Sequence, residues 1–530
     1  MTHTNKLYTV LINSIVAVIF LFAAGHVLFS DIANLISVTP DDASYYLKIA
    51  ENYTFGKGFT FDNINGTNGF QPLWEFLIIP VMFISDSMSQ ENKLRIILFL
   101  QLILLSLSFI VFNKILSRYY SGKFILAFSI CFAVFVYFNA LNGMESSLMI
   151  LLTSLLFRSA VNSEIFNEEK GSGFFFGIIL GLLILSRLDM IFIAVCIFIF
   201  LIPGFRKDGL AKAFKIILGT SVIVLPYLLY NLTVFGNVIP VSGYLKAGFS
   251  IADITGKLRL LMQYRESYFL FFSVVFLIWH VLSERRSDED RKNSFSAMVT
   301  VLIISNALLF LYMLLFLNWV IFYWYFIPFS LTFSVLTCIV FSNLLKDRKS
   351  AFLNISYFAV ISFISVYWGY KIYFNYSPDK YSTGNNWNIE SYNAAIWTRN
   401  HTDMQDNFAM KDAGHFSFFS GRNVINLDGL ANNFEYQEVL KNKKLNEYLI
   451  NNHVKYISQH ALWKRDEITS GDYDTLSLKF VSHKYSAESD PVILHKADEV
   501  YRSEPYFDDG NRTVFIIWKL NRDSLNNNSE

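Results

Sequence analysis

Long apolar runs separated by short polar stretches fill the chain up to residue 374. A run of roughly 20 apolar residues crosses a hydrocarbon core. By that measure spans are expected near 8–29, 92–113, 124–141, 144–160, 173–187, 188–204, 213–232, 267–283, 295–316, 321–342 and 351–374. The fourth and fifth are short and suit a thinned or protein-lined place. The run 73–84 is shorter still and is interrupted by Pro80, so it reads as a re-entrant or surface-lying segment. With the N-terminus inside, eleven spans gather the basic loops on the cytoplasmic side, as the positive-inside rule asks. Those loops hold Lys114, Arg118 and Lys123; Lys170; Arg206, Lys207 and Lys212; Arg285, Arg286, Arg291 and Lys292; and Lys346, Arg348 and Lys349, while Lys93 and Arg95 fit less well. The loops 30–91 and 233–266 then face outward.

After Tyr373 the pattern changes to a polar stretch, 375–530, rich in Asn, Asp and Lys. Short apolar segments at 407–410, 424–427, 454–458, 491–494 and 513–518 read as strands, and 389–400 and 433–451 as helices. This predicts a small α/β domain, placed outside by the odd number of spans. The chain therefore divides into a membrane part, 1–374, and an external part, 375–530.

Composition agrees with the pattern. Of 530 residues 53% are hydrophobic and 16% charged, against about 25% charged in soluble domains. A net charge of +1 implies no bulk attraction to nucleic acid. Cys131, Cys196 and Cys338 each lie in an apolar run and read as buried hydrophobes rather than disulfides or ligands. The first apolar run has no convincing cleavage site and reads as an uncleaved span. No HExxH, CxxC or paired-His spacing supports zinc, and no phosphate loop supports a nucleotide-driven pump.

The chemistry-bearing residues cluster in the outward stretches. Asp41-Asp42 open a helical run, DDASYYLKIAEN, where carboxylates either cap the helix or serve as a base or metal ligands. The loop FGKGFTFDNINGTNGFQPLW carries four glycines; Asn68, Gln71 and Trp74 in it can bond or stack on sugars, and a long glycine-hinged loop in a compact protein is usually functional. Glu145 opens an apolar run, as a functional acid or a solvated helix start. Arg187 and Asp189 either pair with each other or leave Arg187 to hold a phosphate through its planar fork. Lys246 is a phosphate candidate or a snorkelling lysine, and Tyr244 is placed to line a groove. Tyr323, Trp324 and Tyr325 read as an interface belt before a sugar platform.

Several of these motifs, in order, resemble the GT-C glycosyltransferases, a superfamily that includes protein O-mannosyltransferases, lipid A aminoarabinose transferases, oligosaccharyltransferases and mycobacterial arabinofuranosyltransferases. The similar stretches are 41–52, 56–62, 67–74, 143–148 and 185–189, with MKDAGHFSFFSGRNVINLDGL (410–430) similar to the external tail of uncharacterised bacterial members. The resemblance covers the first seven spans well and is looser afterwards. It implies a polytopic α-helical membrane protein of GT-C fold with an external C-terminal α/β domain, in the bacterial inner membrane, with its site on the periplasmic face. It implies an inverting transferase that moves a sugar from a polyprenyl-phosphate donor to an acceptor hydroxyl on an envelope glycan, lipopolysaccharide or protein.

On that reading Asp41 is the general base, with Asp42 orienting it or sharing a metal. Glu145 is a second acid for acceptor or metal. Tyr45, Lys48, Asn68, Gln71, Trp74, Arg187, Asp189, Tyr244 and Lys246 are the substrate-binding candidates. A divalent cation, Mg or Mn, at Asp42 and Glu145 stays open. The alternative is a transporter or flippase of lipid-linked sugars; it would place charges within spans around a central cavity, whereas here they lie at the outer ends. A glycan ligase or polymerase would need a longer late loop than LNWV at 317–320.

Overall fold

The computed structural model describes residues 3–166, 173–201, 207–251, 253–284, 294–345, 351–375, 387–462, 468, 471–482, 487–508 and 511–521. Of the basic residues that orient the chain, Lys170, Arg206, Arg285, Arg286, Arg291, Lys292, Lys346, Arg348 and Lys349 lie outside the described residues.

Every expected span falls on a helix. In chain order the helices are α1 (His3–Phe29), α2 (Ile32–Val38), α3 (Asp41–Thr54), α4 (Pro72–Ile84), α5 (Gln90–Leu116), α6 (Gly122–Cys131, continued by a π turn Phe132–Tyr137), α7 (Ser146–Ser163), α8 (Gly173–Ser186), α9 (Ile191–Leu201), α10 (Lys207–Phe235), α11 (Val241–Lys246), α12 (Ile254–Gln263), α13 (Arg265–Glu284), α14 (Ser294–Leu315), α15 (Ile327–Leu345) and α16 (Ala351–Asn375). Among the described residues five stretches are long and apolar enough to cross a membrane: Leu7–Phe29, Gln90–Leu116, Gly209–Phe235, Ser294–Leu315 and Tyr323–Leu345. α12 and α13 form a sixth apolar unit bent by 95°, and Pro72–Ile84, Gly122–Tyr137, Gly173–Ser186, Leu188–Leu201 and Asn354–Tyr367 are shorter apolar helices. The chain is a multi-pass helical membrane protein.

The C-terminal part holds α17 (Trp387–His401), β1 (Asn407–Met410), α18 (Gly414–Ser420), β2 (Asn423–Asn426), α19 (Phe434–Lys441), α20 (Leu445–Asn451), β3 (Val454–Leu462), β4 (Thr475–Leu478), β5 (Val481–Ser482), β6 (Ala487–Glu488), β7 (Val492–His495), β8 (Glu499–Arg502), β9 (Tyr506–Asp508) and β10 (Asn511–Lys519). The main sheet runs β2-β1-β3-β10-β8, with β9 also on β10; β1 is parallel to β2 and β3, and β10 is antiparallel to its partners. The expected helix over 433–451 is broken in two, because Lys443 takes the left-handed conformation at φ 54°, which a continuous helix does not admit.

Strand alternation gives this sheet two apolar faces. Val514, Ile516 and Trp518 of β10 pack with Tyr436, Leu440, Leu445 and Leu449 of α19 and α20. Phe515 and Ile517 point the other way, into a core shared with Phe416, Phe418 and Phe419 of α18, Leu47 and Ile49 of α3 and the helices of the membrane part. One apolar core therefore joins the sheet to the helical body, and α18 lies directly on α3.

The glycine-hinged loop after α3 is built by side-chain bonds to its own backbone. Asn52 donates to the Thr60 and Phe61 carbonyls (2.9 and 3.1 Å), and Asp62 accepts from the amides of Ile64 and Asn65 (2.8 and 2.7 Å). Its far end is seated on the C-terminal part: Thr67 Oγ1 donates to the Asn432 carbonyl at 2.7 Å. A Cβ at Gly69 would stand 1.9 Å from the Leu430 carbonyl oxygen, which is backbone and cannot turn aside. Gly69→Ala is therefore expected to cost about 1–3 kcal/mol of stability, measured as a lower unfolding midpoint in detergent. An unchanged midpoint would mean that this loop is not seated on the 428–431 turn.

Candidate active site

A cavity opens where α3, the first polar loop, α11, the α14–α15 connection and the C-terminal part meet. Asp42, Tyr45, Tyr46, Gln71, Glu145, Arg187, Asp189 and Lys246 line it, with Tyr312, Trp324 and Tyr325 on one side and Leu430 and Ala431 on another. Residues far apart in sequence thus meet as expected: three carboxylates and two cations share one space.

Asp42 stands in the first turn of α3, whose N-cap is Pro40. Its carboxylate takes part in no hydrogen bond with the described residues and faces the cavity. Burial raises its pKa; Lys246 opposes that and Asp428 adds to it. Asp41, one residue earlier, points elsewhere. Both of its oxygens accept from the start of α18, from Gly414 N at 2.8 Å and His415 N at 2.6 Å. The two acids therefore differ in role although they are neighbours in sequence.

Arg187 follows α8 in an extended conformation (φ −160°, ψ 115°) that turns its side chain inward. Its guanidinium bonds Asp189 through Nε and Nη2 (3.1 and 3.0 Å), donates from Nη1 to the Trp324 carbonyl at 2.8 Å, and lies 5.5 Å over the Tyr325 ring. Three of its five N–H donors are used, which leaves two for a ligand. The turn is held by Gln71, whose Oε1 accepts from Leu188 N at 3.2 Å. Lys246 ends α11 and lies 5.9 Å from the Trp319 ring. Burial pulls its ammonium pKa down, but Tyr325, Asp42 and Asp428 outweigh that and leave it raised, so it is charged. Both cations thus line the same cavity as Tyr325. Such a desolvated pair suits a dianionic phosphate.

Glu145 precedes α7 and accepts from Tyr46 OH at 3.0 Å. Gln101 of α5 fixes its approach by bonding the Met144 carbonyl (2.5 Å) and Gly143 N (2.8 Å). Among the described residues no three His, Cys, Asp or Glu side chains converge as metal ligands. An ion at Asp42 and Glu145 would draw its remaining ligands from substrate.

The other sequence candidates lie outside the cavity lining. Lys48 is buried against Glu51 (3.7 Å), which Lys93 also reaches at 2.8 Å, so it serves an internal ion cluster. Trp74 is fully buried and offers no face to a sugar. Asn68 ties α10 to α11, donating to Asn231 Oδ1 at 3.2 Å and accepting from Val241 N at 2.9 Å. Tyr244 packs edge-on against Phe434, 5.4 Å between centroids. Conversely, Trp324 and Tyr325 line the site, although in sequence they read as an interface belt; the run YWYF before an apolar helix has the same signature in both roles. Leu430 and Ala431 carry no chemical signal in sequence at all.

The C-terminal acids also reach this region. Asp428 Oδ2 accepts from Asn426 Nδ2 (2.8 Å), Asp412 N (3.1 Å) and Tyr45 OH (3.4 Å). Asp412 is held at φ 52°, and its carboxylate lies 3.9 Å from Lys411 Nζ.

A family model described as a domain of unknown function (DUF8728) matches residues 381–501, well under half of the chain. No curated protein matches the chain by sequence. Among solved structures, ArnT from Cupriavidus metallidurans, crystallised with undecaprenyl phosphate bound, superposes with a TM-score of 0.54 at 9% identity, over 96% of this chain and 98% of that one. At that identity the likeness establishes the architecture, and the chain has a GT-C-like fold.

Proposed function

We propose that the protein is an inverting glycosyltransferase that takes its sugar from a polyprenyl phosphate and passes it to an acceptor hydroxyl on the outer face of the bacterial inner membrane. One observation carries this reading: Asp42, a carboxylate with no hydrogen bond among the described residues, shares a cavity with two cations, Arg187 and Lys246. The lipid phosphate bound to ArnT in the structure of the same fold supports it.

In the proposed step the acceptor oxygen attacks the anomeric carbon from the face opposite the phosphate. The new C–O bond forms as the sugar–phosphate C–O bond breaks, and the configuration inverts. Asp42 takes the acceptor proton, which requires it within about 3 Å of the hydroxyl. The bonding electrons leave with the lipid phosphate, whose growing charge Arg187 and Lys246 balance. Glu145, already engaged by Tyr46, is placed to accept from donor sugar hydroxyls. Asp42 rather than Asp41 is the base in this scheme, because Asp41 has both oxygens committed to amides.

The test is transfer of labelled sugar from a panel of undecaprenyl-phosphate sugars to extracted envelope glycans, lipids and proteins by the purified chain in lipid. Label in the acceptor and stoichiometric release of undecaprenyl phosphate are expected. Wild-type protein that neither transfers label nor binds undecaprenyl phosphate would sink the reading.

The pH dependence has a definite sign. Only ionised Asp42 can act as base, and its pKa is raised by burial. Activity should therefore rise with pH through a value above the ~4 of a free carboxylate, and fall away on the acidic side of it. An acid limb centred at or below that ordinary value would contradict the assignment.

A further inference from the structure

Beside the shared apolar core, the first turns of α3 meet the C-terminal part through a cluster of polar contacts. Asp41 accepts from Gly414 N and His415 N. A Cβ at residue 414 would sit 2.2 Å from the Asp41 carbonyl oxygen, so only glycine permits this approach. The His415 ring is wedged between Ser44 Oγ (2.7 Å from Nδ1) and the Thr39 carbonyl (3.0 Å from Nε2). A carbonyl only accepts, so Nε2 carries the proton and Ser44 donates to Nδ1. Tyr45 OH accepts from Ala413 N (2.9 Å) and Asn426 Nδ2 (3.0 Å). Thr39, Asp41, Ser44 and Tyr45 are all held by residues 413–428, while Asp42 in their midst is left to the cavity.

The first turn of α3 has no side-chain cap of its own, since Pro40 stands at its N-cap. Its direction is therefore fixed by a segment about 370 residues away in sequence. The same segment closes the cavity. Leu430 packs with Val241 and Leu245 of α11, the helix that ends in Lys246. The 428–431 turn thus spans from the acid side of the site to the cation side, held in shape by Leu430 N on Asp428 Oδ1 (2.9 Å) and Ala431 N on Asn426 Oδ1 (3.2 Å).

We propose that the C-terminal part is a working component of the site: its 410–431 segment, locked by Asp41 and His415, aims the Asp42 carboxylate and joins it to the Lys246 helix. Asp41 is a positioning residue that acts through Gly414 and His415. The kinetic consequence rests on the transferase reading; the docking and the coupling do not. A displacement of about 1 Å in a reacting group costs on the order of 10²-fold in rate, so the lock matters even though Asp41 touches no substrate.

Full-length Asp41→Asn, Ser44→Ala and Asp42→Asn proteins in lipid test this by amide hydrogen exchange, undecaprenyl phosphate binding and transfer kinetics. In Asp41→Asn the amides of 413–415 should exchange about tenfold faster or more, and kcat should fall roughly 10- to 100-fold, with the acid limb retained and lipid-phosphate affinity weakened by no more than the factor by which the lipid slows exchange at 428–431 in the wild type. Ser44→Ala should move exchange and kcat in the same directions by smaller factors, which keeps the proposal testable if Asp41→Asn does not fold. Asp42→Asn should leave the exchange of 413–415 as in the wild type. Undecaprenyl phosphate should slow exchange at 428–431 in the wild type and lose that effect in Asp41→Asn. Faster exchange with undiminished kcat would overturn the proposal, and so would loss of the acid limb in Asp41→Asn, which would make Asp41 the base. Absence of the lipid-induced slowing in wild-type protein that binds undecaprenyl phosphate would overturn it too, whether or not any sugar is transferred. If the slowing is present and transfer is absent, the transferase reading falls while the coupling stands.

Discussion

Asp42→Asn is expected to lower the rate of sugar transfer by about 10² to 10⁴-fold, the usual contribution of a positioned general base, equivalent to about 3 to 5 kcal/mol of transition-state stabilisation. Asparagine keeps the size and removes the proton acceptor. Asp42 makes no hydrogen bond to the described residues, so the change leaves no donor among them stranded and should be close to neutral for stability. It also removes a negative charge that helps hold the Lys246 ammonium. Phosphate affinity should therefore stay level or rise slightly while kcat collapses. That combination separates loss of chemistry from loss of binding. A folded Asp42→Asn protein with undiminished kcat would remove Asp42 from the mechanism.

The membrane part was legible because its signal is local. Apolar length alone marks α1, α5 and α14; the expected spans fall on helices, five of which are long and apolar enough to cross a membrane among the described residues. Strand patterns at β1 and β10 were equally local, and β1 begins and ends where the alternation says. The division of labour within Asp41-Asp42 was not legible. Which of two adjacent acids meets the cavity depends on where Gly414 and His415 dock, and nothing near residue 41 encodes that. Trp74 and Lys48 lie away from the cavity for a related reason. Both are residue types that bind sugars or phosphates when exposed, and burial in the finished fold decides otherwise. Arg187 was ambiguous between an ion pair and a phosphate site; the structure shows the pair, with Asp189 on one edge of the fork, and sets the residue in the cavity lining, which is the ground for the proposed phosphate role.

That double engagement makes Arg187 the site of the second large expected effect. Arg187→Met leaves the largely buried Asp189 carboxylate without its cation; breaking a fully buried pair costs about 3–5 kcal/mol, and the partial access of Asp189 to the cavity sets that as an upper bound. It also strips the Trp324 carbonyl of its donor. A fall in both stability and lipid-phosphate binding in this single variant would not by itself say which role matters. The double variant Arg187→Met/Asp189→Leu does. Removing both charges eliminates the stranded acid, so most of the lost stability should return. Phosphate binding should not return, because the two spare guanidinium donors are still missing; charge-assisted bonds of this kind contribute about 1.5–3 kcal/mol each. Undecaprenyl phosphate should therefore bind the double variant at least tenfold more weakly than wild type, against a restored unfolding midpoint. Recovery of both together would reduce Arg187 to a structural partner of Asp189 and leave Lys246 as the phosphate cation. Arg187→Lys should fall between: a point charge can face Asp189 or the phosphate, but lacks the planar fork to bond both and the Trp324 carbonyl at once.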